Sequence, residues 1–459
     1  MNRVAAALLG TSQSAGRGPA IWWVRWDLRT HDNPALRAAV AAADQVIPCF
    51  ILDPVLLAGS GPARRAFLLA GLRALDAELR ARGGRLVVRR GNPLTELGRL
   101  WQETSAVAVF ASPYARRRDE EVGRALPVQL VGAPTVRPPD QLVKATGRFY
   151  LVFGAFERDW LARPLPTRAD LLPAPGRLDV PPEVEGLPVP ADRAPAEFPA
   201  GEAEGLRRLR KFLSGPVARY HRERDRLDLD STSGLSPYLR FGIVSPRLAA
   251  AAAAALLSDP EAGAGARAWL RQLIWRDFYQ ARLYHPLHKA EAAFRRGAGP
   301  PGRSGREAFR AWCEGRTGSP LVDAAMRQLL TTGWMPNRAR LVAASFLVRF
   351  LLVDWGHGEG WFRRLLVDGE LAVNLGNWQW VAGIGEDRPP FIRLFDPVRQ
   401  GRRFNPAGAY IRRWCPELAG LDSRWVHAPW EAESPPASYP RPMVDPAWAG
   451  GRPWNIAPG

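Results

Sequence analysis

The sequence predicts two domains of different class. A doubly wound parallel α/β sheet is expected over residues 21–150 and an all-α domain over 205–459, with a long linker at 151–204. Three observations carry this. Short β-branched and aromatic runs alternate with helical patterns as far as residue 131. Residues 161–200 hold ten prolines and almost no periodicity, which excludes a helix or a central strand there. Beyond residue 201 the strand signals vanish and helical periodicity takes over.

Residues 1–20 are expected to form a leader without fixed structure. Strands are expected at Ile21–Val24, Gln45–Leu52, Arg85–Arg89, Ala106–Phe110 and Val128–Val131, each a short apolar run bounded by turn residues. Helical patterns at Pro34–Ala43, Ala63–Arg82, Leu94–Thr104 and Arg116–Leu126 fill the gaps. No G-x-G-x-x-G follows the first strand, so a Rossmann dinucleotide site is not expected at that turn. In the second domain the periodicity marks helices at Gly201–Leu213, Pro246–Leu257, Arg267–Tyr284, Gly305–Glu314, Pro320–Thr332, Asn337–Val353 and Trp355–Asp368.

The chain has 459 residues, 46% hydrophobic, with a formal charge of +18. That charge favours a polyanionic partner, nucleic acid first and an acidic membrane surface second. A GC-rich genome, which the high Ala, Gly, Pro and Arg content points to, accounts for part of the arginine excess, but not for the failure of acidic residues to rise with it. Cys49, Cys313 and Cys415 are too few and too scattered for a disulfide framework or a zinc site, which suits a reducing cytoplasm. The six histidines are dispersed, and neither a metal site nor a Ser-His-Asp arrangement emerges.

Eighteen tryptophans are several times ordinary usage. Each alone is best read as core, and the cluster suggests stacking against planar ligands or electron transfer. Trp269 and Trp275 are six residues apart on one helix and so face different ways, as do Trp378 and Trp380. The turn Ser231-Thr232-Ser233-Gly234-Leu235-Ser236 is either a phosphate seat or an ordinary helix cap. Arg276 and Asp277 lie mid-helix, and Arg340 follows Asn337 at helical spacing. Asp368 and Glu370 flank a glycine and belong to a loop, where carboxylates can accept ribose hydroxyls, bind metal or face water. With no histidine beside them, metal is the weakest of these.

Several long motifs resemble one family. Trp23 through Leu36, Thr232 through Gly242 and Leu273-Ile274-Trp275-Arg276-Asp277-Phe278-Tyr279 are similar to segments of the DNA photolyases and cryptochromes. So are Thr332-Gly333-Trp334-Met335 with Asn337-Arg338, and Asn374 through Trp380. The match runs in order from about residue 21 to 445 and is nearest to the class I cyclobutane-pyrimidine-dimer photolyases.

The resemblance implies FAD held by Tyr220, Thr232, Ser233, Leu235, Ser236, Trp269, Gln272, Arg276, Asn337, Arg340, Asp368, Glu370 and Asn374. Asn374 matches the residue beside flavin N5. A lesion pocket is implied at Trp275, Trp380, Asn337, Gln272 and Leu341, with Arg224, Arg338 and Arg393 gripping phosphates. Trp378 and Trp355 match the first two residues of an electron-transfer chain. The implied reaction is light-driven electron transfer from reduced anionic FAD to a pyrimidine dimer in DNA, by a monomer. A cryptochrome-like photoreceptor without repair is the alternative. An antenna chromophore, folate or deazaflavin, is implied in the crevice at the strand C-termini.

The sequence departs from the family pattern in places. Gln272 stands where a Glu is usual, Pro336 for His, Leu341 for Met and Glu370 for Asp. No tryptophan lies near Gly302 to serve as the third electron carrier.

Overall fold

A computed structural model describes residues 18–113, 116–144, 146–192, 194–284, 303–385 and 394–445. Gly302 and Arg393 lie outside the described residues, as does most of the expected leader.

Five parallel strands form one sheet in the order β3-β2-β1-β4-β5, with β1 at Ala20–Trp23, β2 at Val46–Leu52, β3 at Val87–Arg90, β4 at Ala108–Ala111 and β5 at Val128–Leu130. β1 and β2 are buried along their whole length. This is why they read as continuous apolar runs rather than alternating ones. The leader expectation is corrected at its end. Ala20 opens the central strand, and Pro19 accepts a hydrogen bond from the Val107 N–H at 2.9 Å.

Five helices begin with a capping residue followed by proline: Asn33-Pro34, Asp53-Pro54, Asn92-Pro93, Ser245-Pro246 and Asp396-Pro397. In each the cap side chain accepts a backbone N–H of the first turn, and the proline occupies a position whose N–H would lack a partner anyway. Two of these, Pro54–Ala58 and Pro397–Phe404, are not among the helices expected from the sequence, because both are too short for periodicity to register. Pro216–Glu223, Leu371–Ala382 and Ala409–Trp414 also lie outside the helices expected from the sequence, whereas the helix expected after the Ser231–Ser236 turn is present as Ser236–Arg240.

The linker expectation needs a larger correction. Its first part is a helix, Phe153–Leu161, that buries Phe153, Phe156 and Trp160. Its proline-rich part is not merely draped over the surface, since Leu178, Val180, Val184 and Phe198 are buried. The backbone carbonyl of Asp179 takes the Val46 N–H, and that of Val88 takes the Leu187 N–H. Proline cannot serve as an inner strand, but the residues between prolines can still seal a sheet edge.

One continuous core runs from the sheet (Trp22, Phe50) into the helical half (Leu235, Trp269, Phe278). A second core lies wholly within the C-terminal half, among its helices and the loops between them, and a third under the other sheet face. Gly242, at φ +59°, lets the two halves touch. A Cβ there would fall 1.8 Å from the Trp26 carbonyl oxygen, so no other residue fits.

Candidate functional site

The site is assembled where Gly263–Tyr284, Asn337–Arg349, Trp355–Leu365 and Leu371–Ala382 pack together. Gly376 permits one of these contacts, because the Tyr279 ring occupies the space a Cβ would need, 2.2 Å away. A cavity of about 70 Å³ opens among the last three of these helices, with Asn337, Arg340, Leu341, Asp368, Glu370, Asn374 and Trp378 in its wall.

Arg340 and Asp368 meet as expected, at 2.8 Å. The other Asp368 oxygen, Oδ1, is buried and has no hydrogen-bond partner. A buried acceptor left in this state is costly, so the cavity favours a ligand that brings a donor. Asn374 directs its amide N–H groups at the backbone oxygen and Oε1 of Glu359, at 3.1 and 2.9 Å, which leaves its own carbonyl oxygen for a ligand. Burial holds the Glu359 carboxyl above the usual range, with Arg363 and Asn374 pulling the other way. Glu359 is not among the site residues expected from the sequence. The signal was present: Trp355, Glu359, Phe362 and Leu366 form one helical stripe, and the acid interrupts it.

Arg276 and Glu370 satisfy each other rather than standing open to a ligand. Their two hydrogen bonds are 2.9 and 2.7 Å, and Arg276 also donates to the Pro134 and Leu239 carbonyls. Arg276 thus braces three segments, and the direct FAD contact that the resemblance implies for it would compete with that brace. The hydroxyl-rich turn remains accessible, with Thr232 and Ser233 half-buried and Ser236 exposed. The helix it opens, Ser236–Arg240, has five residues, too few for an appreciable dipole, so its case for an anion rests on hydroxyls.

Tyr220 and Trp269 both pack on Phe212, at centroid distances of 5.5 and 5.1 Å, inside the first core. Trp378 points inward onto Phe362 and Trp312, while Trp380 is partly exposed 6.2 Å from Phe395. They face different ways, as their spacing requires. Trp355 starts its helix half-buried beside the second core. Gln272 is half-buried and donates to the Ala268 carbonyl at 3.3 Å. Trp275 lies flat against Phe153. Arg338 is bound to Asp225 at 2.5 Å, next to Arg224, and lies over the Phe404 ring.

Similarity to known proteins decides the family. The model described as "DNA photolyase" matches residues 20–176, and the "FAD binding domain of DNA photolyase" matches residues 269–452. A deoxyribodipyrimidine photo-lyase of Thermus thermophilus is 44% identical, covering 87% of this chain and 93% of the relative. The chain belongs to the DNA photolyase family.

Among solved photolyase-like structures, a class III photolyase of Agrobacterium tumefaciens superposes with a TM-score of 0.85 at 33% identity, covering 95% of this chain and 96% of that one. A Synechocystis cryptochrome gives a TM-score of 0.83 at 27% identity, covering 95% and 98%. The cofactor is therefore FAD, and the cavity fits it: an unpartnered carboxylate oxygen, an amide carbonyl and an arginine face one space. FAD is larger than this cavity. Arg240 and Arg276 tie the 231–240 segment to the 369–370 loop of its wall.

Asn374→Asp is expected to make the bound flavin of this photolyase harder to reduce. It would set a second carboxyl against buried Glu359 and remove the amide donors that Glu359 accepts. A potentiometric titration should show the midpoint falling by tens of millivolts, and an unchanged midpoint would place the flavin elsewhere.

Proposed function

We propose that this protein splits cyclobutane pyrimidine dimers in DNA under blue light. The observation that carries this is the match to a deoxyribodipyrimidine photo-lyase across nearly its whole length, together with the polar cavity in the FAD-binding half. Arg340, Asp368, Asn337 and Asn374 would hold the flavin end of FAD, with Thr232, Ser233, Leu235 and Ser236 toward its phosphates and Tyr220 and Trp269 beyond. Bound FAD supplies the electron that opens the dimer. The protein binds, orients and excludes water.

A flipped dimer would stack on Trp275 and Trp380 and receive a hydrogen bond from Gln272. Flipping costs a few kcal/mol and is easiest at damaged bases. Arg224 and Arg338 support phosphate contact, and the net charge of +18 supports salt-dependent binding to any DNA. Trp378, with Trp355, would return electrons to oxidised flavin.

A cavity of about 690 Å³ lies at the C-terminal ends of β1 and β2, lined by Trp23, Arg25, Trp26, Asp53, Arg240 and Arg364. It suits a planar antenna chromophore, folate or deazaflavin. Among the described residues, no helix is long and apolar enough to cross a membrane. A cytoplasmic monomer is the reading that goes with this function.

The test is dimer splitting in an oligonucleotide under blue light, with FAD chemically reduced beforehand. Gln272→Leu is expected to lower the yield per photon several-fold, since a lesion carbonyl loses its donor, worth about 1–3 kcal/mol. Gln272→Glu should hold or raise it, because a buried acid can be protonated and donate. Absence of splitting by both the parent protein and Gln272→Glu, with damaged DNA bound, would favour a cryptochrome-like receptor.

A further inference from the structure

Helix Phe153–Leu161 meets the long helix Gly263–Tyr284 at three levels. At the exposed rim, Glu157 takes two N–H groups of Arg271, at 2.8 and 3.2 Å. Deeper, Phe153 lies flat on Trp275, ring centroids 3.6 Å apart and planes within 2°. At the base, Trp160 donates its indole N–H to Asp277 at 3.0 Å, and the same carboxylate accepts the backbone N–H groups of Val136 and Arg137. Arg271 also sits 5.3 Å from the Phe153 centroid, so cation, phenyl and indole form one pile.

A directly parallel sandwich is not what two aromatic rings choose when free, since offset and edge-on packing are preferred. The surroundings therefore impose it. Phe278 stands edge-on to both rings, at 5.7 and 5.8 Å, and the Glu157 and Trp160 contacts fix the helix that carries Phe153. Phe153 is 3% exposed, whereas Trp275 is only partly buried. Phe153 thus covers one indole face, and the accessible part of Trp275 belongs to the rest of the ring.

We infer that Phe153 is a positioning residue for lesion recognition. It holds the Trp275 indole in one plane, beside the Tyr279 ring at 5.5 Å, with the part of the indole that stays accessible presented to an unstacked base. The inference rests on the reading of Trp275 as a pocket wall. A ring already fixed in its bound orientation loses little freedom when a base stacks on it, so affinity is gained without a new contact to DNA. A segment that reads as linker then becomes part of the substrate site.

The experiment is a double-mutant cycle on FAD-loaded protein. Binding constants are measured for dimer-containing and undamaged oligonucleotides. Phe153→Met keeps a buried apolar side chain but removes the flat face. It is expected to weaken dimer-containing DNA about tenfold and leave undamaged DNA unchanged, the scale of one lost stacking partner. Phe153→Tyr keeps the ring and should behave as the parent. Adding Phe153→Met to Trp275→Ala should cost nothing further, because Phe153 acts only through the indole.

Equal losses on both DNAs, no loss from Phe153→Met, or a further tenfold loss in the double variant would overturn the inference. Selective loss in Trp275→Ala without loss in Phe153→Met defeats the positioning role alone. No selective loss in Trp275→Ala defeats the pocket reading and this inference together. Should Phe153→Met fail to fold, Glu157→Gln at the rim loosens the same helix. It is expected to reduce the preference for dimer-containing DNA by a smaller factor, and an unchanged preference overturns the inference.

Discussion

Asp368→Ala is expected to strip FAD from the protein while leaving the fold in place. Asp368 is the one carboxylate in the cavity wall that joins a strong internal partner, Arg340, to an oxygen with none. A donor on FAD would satisfy that oxygen, and the same oxygen is missing from the variant. Losing a charged hydrogen bond of about 1.5–3 kcal/mol weakens binding by roughly ten- to a hundredfold. The fold should survive because the Arg340 side chain is 24% exposed and can turn to water. Flavin absorbance per mole of purified protein, with the melting curve as control, reads the result. Full FAD content in Asp368→Ala would mean the cofactor does not use this cavity.

Asp277→Ala should be among the most destabilising single changes in the chain. It removes the acceptor that, among the described residues, serves the Trp160 indole N–H and the backbone N–H groups of Val136 and Arg137. Each buried donor left alone costs about 1–3 kcal/mol, and because the Arg137 N–H is only part-buried and water can reach it, a total near the low end of the sum, about 3–5 kcal/mol, is expected in urea unfolding. The penalty should depend on pH. Burial pushes the Asp277 carboxyl up to about 6, against the pull of its hydrogen bonds and of Arg276.

A raised carboxyl makes the folded state bind its proton more tightly than the unfolded state does. That contribution is fully present below pH ~4 and is lost as the pH rises through ~6. The gap between the parent protein and Asp277→Ala should therefore be wider at pH 4.5 than at pH 7.5, by at most about 3 kcal/mol. A gap that widens toward high pH would show that the hydrogen bonds outweigh burial.

These two acids illustrate what could be read in advance. Asp368 stood in a short motif beside a glycine, and its placement in a loop follows from that. Asp277 stood on an apolar helical face between Leu273 and Ala281, a position that marks a buried acid without naming its partners. Trp160 and the Val136 and Arg137 backbone are more than a hundred residues away. Arg276 shows the limit most clearly. The resemblance implies a contact to FAD, and its neighbours in space, Glu370, Pro134 and Leu239, are partners that its place in the sequence does not name.

The sequence by itself determined the parallel sheet, the helical half and the motifs that carry the family. Those depend on apolar period, proline and residue order, which are local. Only the tertiary structure decided that Glu359 backs Asn374, that one core crosses from sheet to helices, and that Phe153 covers Trp275. Each of these is a contact between elements whose own patterns are complete without it. Local periodicity fixes which face of a helix is buried, but the partner on that face is chosen by how the whole chain closes.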